Sequence, residues 1–277
     1  MLTVDGLYFA YKDSPVLRGL NLTAGRGELV GLVGPNGTGK TTVLRLISGV
    51  LSPSDGRIRV DGQDLRAFKA AERAALISVV PQNPTLPLTF RVVDLVLMGR
   101  NPHLGLMQWE GRRDREIAWR AMELTEIGHL AQRPLGSLSG GERQRAVVAM
   151  ALAQEAPIML LDEPTASLDL AHQIGIMDMV RDFQGARAGT VLVAMHDLTL
   201  AAQYCDRIVM IADGRAYADG PPGSVLTAEN ISAVYGADVF ILAHPQGGTP
   251  VVLPRSAGRR YDAPGEALRH TDADGRM

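Results

Sequence analysis

The segment Gly34-Pro35-Asn36-Gly37-Thr38-Gly39-Lys40-Thr41 constrains this chain more than any other. It matches G-x-x-x-x-G-K-[ST], follows the apolar run Leu29–Val33, and leads into a helical run over 42–47 that opens on Thr42. Each part has a physical reason. Glycines let the backbone curl until successive N–H groups point inward at phosphate oxygens. The following helix adds its positive N-terminus. Lys40 supplies a mobile cation for the β- and γ-phosphates, and Thr41 supplies a hydroxyl to a magnesium ion. A plain Gly-rich turn before a helix would not require Lys and Thr together at that place. The pattern predicts a nucleotide site set between a buried strand and a helix.

Four further apolar runs share the character of Leu29–Val33: Ile77–Val80, 158–161, 191–195 and 208–211. Each is too short for a helix and apolar at successive positions, which fits strands buried on both faces of a parallel sheet. Ile77–Val80 runs into Pro81-Gln82, 158–161 into Asp162-Glu163, and 191–195 into His196-Asp197. Ligands of open parallel sheets bind beyond the carboxyl ends of the strands. A glycine loop, an amide, two carboxylates and an imidazole delivered there predict one shared site. Asp162 suits a magnesium ion held through water, since that ion keeps much of its hydration shell. Glu163 is then free to orient or deprotonate an attacking water.

Between the second and third runs the pattern changes. Val92–Met98, 114–126 and 142–154 have helical spacing, with Ile117, Ala121 and Leu124 recurring at i, i+4 and i+7. This predicts a helical subdomain, about 85–155, inserted into the α/β core. Residues 2–24 alternate and carry the turn signals Asp5-Gly6 and Asp13-Ser14-Pro15, which suggest an antiparallel sheet. The stretch Leu138-Ser139-Gly140-Gly141-Glu142-Arg143-Gln144-Arg145 opens the last of the three helices. Ser139 and Glu142 form a capping box, S-x-x-E. The box does not explain two adjacent glycines, which weaken a helix start and serve where another group must approach bare backbone.

With these residues in place the chain resembles the ABC transporter ATPases, whose signature sequence stands at 138–142. The resemblance covers nearly everything from Leu2 to Pro254. It implies a P-loop NTPase core of mainly parallel sheet with flanking helices, an N-terminal antiparallel β subdomain and the helical insertion, as one domain over 1–254. It implies ATP and Mg2+ as cofactors. Tyr11 is placed like the aromatic that stacks on adenine, with Tyr8 and Phe9 offering rings nearby. Gln82 is placed like the glutamine that senses magnesium and the membrane partner, and His196 like the histidine that contacts the γ-phosphate. Ser167-Leu168-Asp169 resembles the loop that communicates between subunits. Two departures are mild: Thr38 stands where Ser or Ala is commoner, and Ala166-Ser167 replaces Ser-Ala.

In this family the signature of one subunit closes over ATP held by the phosphate loop of another. The resemblance therefore implies a head-to-tail homodimer with two equivalent sites. Leu97-Met98-Gly99-Arg100-Asn101-Pro102-His103-Leu104, Val234-Tyr235-Gly236 and Val251-Val252-Leu253-Pro254 resemble ATPases of bacterial importers for ferric siderophores, haem and cobalamin. The implied partners are two copies of a multi-helix membrane permease and, indirectly, a substrate-binding protein, at the cytoplasmic face of the inner membrane. A soluble ATPase switch of the same family, for example in iron–sulfur assembly, is the alternative. A plain kinase would leave the signature unexplained. The segment from Gln82 to about Trp109 ends in an unusually apolar loop, Pro102, Leu104, Leu106, Met107 and Trp109, and side chains of that size suggest a partner surface on this segment.

Composition removes other classes. Hydrophobic residues at 46% and charged residues at 21% of 277 exclude a disordered or fibrous chain. A net charge of −2 argues against nucleic acid as a partner. The single cysteine, Cys205, allows no internal disulfide or zinc set and suits a reducing cytosol. His103, His129, His172, His244 and His270 show no metal spacing and are read as surface or structural residues. No apolar stretch is long enough to span a bilayer, and Met1-Leu2-Thr3-Val4-Asp5 lacks a signal-peptide pattern. Residues 255–277 are expected to be a poorly ordered tail.

Overall fold

The computed structural model describes residues 2–105, 107–166 and 168–255. At the N-terminus, β1 (Leu2–Tyr11) and β2 (Ser14–Ala24) form an antiparallel hairpin closed at the pair Tyr11 and Ser14. Asp5-Gly6 is a correction to the sequence reading, because it lies inside β1 rather than at a turn. Gly6 has φ +53°, and the register shifts between Val4 and Leu7. That bulge is why Val4 and Leu7, three residues apart, both face the interior.

The central strand β3 (Leu29–Val33) leads through the glycine loop into α1 (Lys40–Ile47). Strand β4 (Asp55–Val60) pairs with β1, and the short β5 (Gln63–Asp64) completes a four-stranded sheet in the order β2-β1-β4-β5. Helix α2 (Ala70–Leu76) then delivers β6 (Ile77–Val80).

Three helices follow, as the change of period predicts: α3 (Val92–Met98), α4 (Arg112–Leu124) and α5 (Gly140–Ala153). The latter two start two residues before their predicted positions, because Asp114 and Glu142 lie inside the first turn. Asp114 accepts the Gly111 N–H at 3.0 Å, and Glu142 accepts the Ser139 N–H at 2.7 Å. The chain returns to the core as β7 (Ile158–Asp162), α6 (Leu170–Arg187), β8 (Thr190–Ala194), α7 (Leu198–Tyr204), β9 (Arg207–Ala212) and β10 (Arg215–Gly220).

The main sheet runs β10-β9-β3-β8-β7-β6, with β10 antiparallel and the rest parallel. Every residue of β3, β7 and β8 is buried. Alternate residues serve two cores. Val30, Leu32, Leu160 and Leu192 pack toward the antiparallel sheet and α1, whereas Leu29, Val33, Met159 and Val193 pack toward the remaining helices. Apolar side chains on both faces explain why these strands read as unbroken apolar runs.

The chain closes with α8 (Pro222–Val225), α9 (Ala228–Tyr235) and a hairpin of β11 (Val239–Ala243) and β12 (Pro250–Pro254). The hairpin is fastened to α7 by the Val252 N–H, which donates to Thr199 Oγ1 at 3.0 Å. Arg255 is also described, its guanidinium lying 5.2 Å from the Phe240 ring centroid. The rest of the expected tail, 256–277, lies outside the described residues. Among the described residues no helix is long and apolar enough to cross a membrane.

Candidate nucleotide site

The phosphate loop leaves β3 against the next strand. Gly34 has φ +150°, and a Cβ there would sit 2.4 Å from the Ile211 carbonyl oxygen, so only glycine fits. Gly39, at φ +104°, caps α1 and turns the chain into the helix. Lys40 is only 5% exposed, and its Nζ donates to the carbonyls of Gly34 at 2.7 Å and Pro35 at 3.1 Å. The Thr38 hydroxyl also donates to Pro35, at 2.9 Å. Burial lowers the Lys40 pKa, and the charges of Glu163 and Asp162 oppose that shift. Asn36 and Gly37 stay exposed at the loop's tip, and Thr42 is buried inside α1.

Thr41 Oγ1 donates to Asp162 Oδ1 at 2.8 Å, joining the loop to the end of β7. Asp162 is 8% exposed, and burial raises its pKa against the effect of the Thr41 hydrogen bond. A hydroxyl and a buried carboxylate side by side fit a hard divalent cation that takes few protein ligands and keeps water and phosphate oxygens. Among the described residues no cluster of three or more His, Cys, Asp or Glu could hold a metal by itself.

Glu163 stands just past the strand in left-handed backbone, φ +49°, with its N–H bonded to the Ala194 carbonyl at 3.1 Å. Such a conformation costs a non-glycine residue about 1 kcal/mol and is held by its surroundings. Its carboxylate is gripped on both oxygens: Gln82 Nε2 donates to Oε2, and His196 Nε2 meets Oε1. Three strand ends, those of β6, β7 and β8, thus meet on one side chain.

The signature residues are arranged otherwise. Ser139 and Gly140 are exposed at the start of α5, with the capping box formed: the Glu142 N–H donates to Ser139 Oγ at 3.2 Å. Gly141 is buried, and the group approaching its bare backbone belongs to the same chain. A Cβ on Gly141 would lie 2.2 Å from His172 Cδ2. Asp169 caps α6 by accepting the His172 N–H at 2.9 Å and also holds His172 Nδ1 at 2.7 Å. That hydrogen bond with the His172 N–H is the main cause of the lowered Asp169 pKa. The Asp169 carboxylate is therefore engaged inside the subunit. Ser167 lies outside the described residues. Tyr11 is 42% exposed and meets Phe9 edge to face, with the ring centroids 4.8 Å apart.

Two neighbours of the site are not among the expected site residues. His172, expected only as a surface or structural residue, has a readable signal, Asp169 followed three residues later by a group it can hold. Tyr235 stands in a family motif that gives no sign of the site; α9 brings its buried hydroxyl, pushed up to about 12 by desolvation, near the Gly34 amide without a well-formed hydrogen bond.

Comparison with known proteins gives a consistent picture. The family model described as ABC transporter matches residues 17–166. The hemin import ATP-binding protein HmuV of Gloeobacter violaceus is 43% identical, covering 98% of this chain and 99% of its own. The ferric enterobactin transport ATP-binding protein FepC of Escherichia coli is 38% identical over 90% of this chain and 92% of its own. Among solved structures, a metal-chelate-type ABC transporter in an inward-facing conformation superposes with a TM-score of 0.81 at 29% identity, covering 92% of this chain and 98% of that one.

The environment of Asp162 generates a stability test. A carboxyl whose folded pKa is raised favours the fold below its ordinary value of 3.8 and loses that contribution as pH climbs through the higher folded value. Asp162→Asn keeps an acceptor for Thr41 and carries no charge to desolvate. Its melting temperature is expected to exceed that of the parent by about 2 °C or more at pH 7. Calorimetry should show the gap narrowing toward pH 4; a gap that widens on acidification contradicts the assignment.

Proposed function

The chain belongs to the ABC transporter family of ATPases, and on that premise we propose that it powers a bacterial importer of ferric siderophore, haem or cobalamin through a separate permease. The convergence of Gln82 and His196 on the Glu163 carboxylate supports the catalytic reading, and the import relatives support the cargo class.

In this reading Gly34 to Thr42 cradles the triphosphate, Lys40 shifts its ammonium from the loop carbonyls to the β- and γ-phosphates, and Tyr11 stacks on adenine. A magnesium ion held by Thr41 and, through water, by Asp162, with Gln82 beside it, would neutralise charge on the β- and γ-phosphates. Glu163 takes a proton from a water whose oxygen attacks the γ-phosphorus. The bond to the bridging oxygen then breaks, and ADP and phosphate leave. Gln82 and His196 hold the Glu163 carboxylate in place, and His196, nearly half exposed, also faces the γ-phosphate. Ser139, Gly140 and Gly141 act on the ATP of a second copy of the chain, paired head to tail, with Asp169 at that junction.

In this reading the permease docks on the loop after α3. Met107 is 93% exposed and Trp109 85% exposed, with Pro102 and Leu104 half-buried beneath them; Leu106 lies outside the described residues. Solvent gives no reason to expose two such side chains side by side, whereas a docked membrane subunit does. Docking there holds the subunit peripherally at the cytoplasmic face, with a substrate-binding protein acting across the membrane.

Two measurements test this reading. Glu163→Gln is expected to bind ATP, hydrolyse it at least about 100-fold more slowly, and run as an ATP-bound dimer on a sizing column. Near-normal turnover would remove Glu163 as the base. Met107→Asp combined with Trp109→Asp is expected to leave ATP binding intact while abolishing binding to membrane vesicles from the protein's own cells. Undiminished vesicle binding would move the docking surface elsewhere.

A further inference from the structure

The sequence 97–104 marks a resemblance, yet nothing in the nucleotide site uses it. The structure gives it work. Gly99 ends α3 against α5, where a Cβ would sit 2.2 Å from the Met150 carbonyl oxygen, so the two backbones touch. Arg100 follows, 4% exposed, and its guanidinium is shared among three acceptors on two elements. Nε donates to Asp114 Oδ1 on α4 at 3.0 Å, and Nη1 donates to the Ala153 carbonyl at 2.7 Å and to Glu155 Oε2 at 3.0 Å, both at the C-terminal end of α5. His103 Nε2 meets the Gln154 carbonyl at 2.7 Å. Three successive residues at the end of α5 are thus held from one short segment.

The same side chain reaches the far end of the exposed loop. Asp114 Oδ2 accepts the Gly111 N–H at 3.0 Å, so Arg100 fixes the loop where it leaves α3 and, through Asp114, where it enters α4. Met107 and Trp109 stand between these anchors. At its other end α5 begins with Ser139-Gly140-Gly141, about 21 Å away for a helix of this length. Gln154 adds a branch, donating to the Ile77 carbonyl at 2.9 Å at the start of β6, the strand that ends near Gln82.

A buried arginine shared by two carboxylates is a poor stability device, because desolvating the charges offsets their attraction. Its geometry suits transmission instead: a planar fork holds two helices in one relative position. We infer that Arg100 is a positioning residue that makes the apolar loop and the signature end of α5 move as one body, so that a partner pressing on Met107 and Trp109 sets where Ser139 to Gly141 meet ATP. The inference rests on the reading of the loop after α3 as the docking surface and of the signature as an ATP contact.

Coupling is reciprocal, so ATP held at the signature must in turn quiet the loop. The test uses the full chain carrying Glu163→Gln, with and without magnesium-ATP, and follows amide hydrogen exchange over 104–111 while light scattering reports the dimer. With Arg100 present, ATP is expected to slow loop exchange by about fivefold or more. Arg100→Lys keeps the charge between Asp114 and Glu155 but cannot span both helices as a fork. It should form the ATP dimer and lose the response, as should Asp114→Asn, whose amide oxygen can still cap Gly111. A purely structural Arg100 would instead speed loop exchange equally with and without ATP, and that result overturns the inference. So does a loop indifferent to ATP in a dimer that forms, or a full response in the lysine variant. Absence of any ATP dimer overturns the nucleotide reading itself, and this inference with it.

Discussion

The hydrogen bond from Thr41 to Asp162 joins residues 121 apart in sequence, and the site exists only because the sheet makes that bond possible. Strand β3 does not touch β7; β8 lies between them, and its register sets their relative height. Leu32 pairs with Ala194, and Ala194 pairs with Asp162, so the three strand ends stand in one row. Val80 pairs with Leu161 and brings β6 to nearly the same level. The residues that follow, from Gly34 to His196, therefore emerge together along one edge. A slip of one residue in any of these pairings would exchange the two faces of a strand and bury the polar group that should leave it. The cost of burying those polar end groups is what fixes the height.

That support carries groups that do not favour folding by themselves. Lys40 is buried at a cost to its charge, Asp162 likewise, and Glu163 occupies a backbone conformation that side chains avoid. Each is held by neighbours that tolerate no freedom: two loop carbonyls, one hydroxyl, and an amide with an imidazole. Signature residues Ser139 and Gly140 show the opposite arrangement. They are exposed at the tip of a well-capped helix, whereas Leu138 and Gly141 beside them are buried, Gly141 under His172. One surface of the site is thus complete in a single chain and another faces outward, an asymmetry that the proposed head-to-tail pairing would resolve.

Much of this was legible in the sequence, for identifiable reasons. Strands buried on both faces write themselves as short apolar runs, and the groups at their ends are adjacent in sequence to those runs. The glycine loop and the capping box are local patterns whose geometry is contained in a few residues. What escaped was set by contacts between distant elements. The bulge at Gly6 answers to the partner Asn21, whose side chain accepts the Gly6 N–H at 2.8 Å. The β11–β12 hairpin is short and only partly buried, so its alternation is weak. His172 over Gly141 and Arg100 between α4 and α5 join segments far apart in the chain, and no periodicity records such meetings.

In the proposed mechanism Gln82, Glu163 and His196 act as a unit, with the Glu163 carboxylate as its working group. Single-turnover ATP hydrolysis by Glu163→Gln, His196→Ala and the double variant tests it most directly. Groups that act through one another lose their effects together rather than in proportion. The double variant should hydrolyse ATP within about threefold of Glu163→Gln alone, since holding that carboxylate is the main work assigned to His196 and its contact with the γ-phosphate the lesser part. If the two losses instead multiply, His196 works independently of Glu163, and the convergence of the strand ends on that carboxylate is not the basis of catalysis.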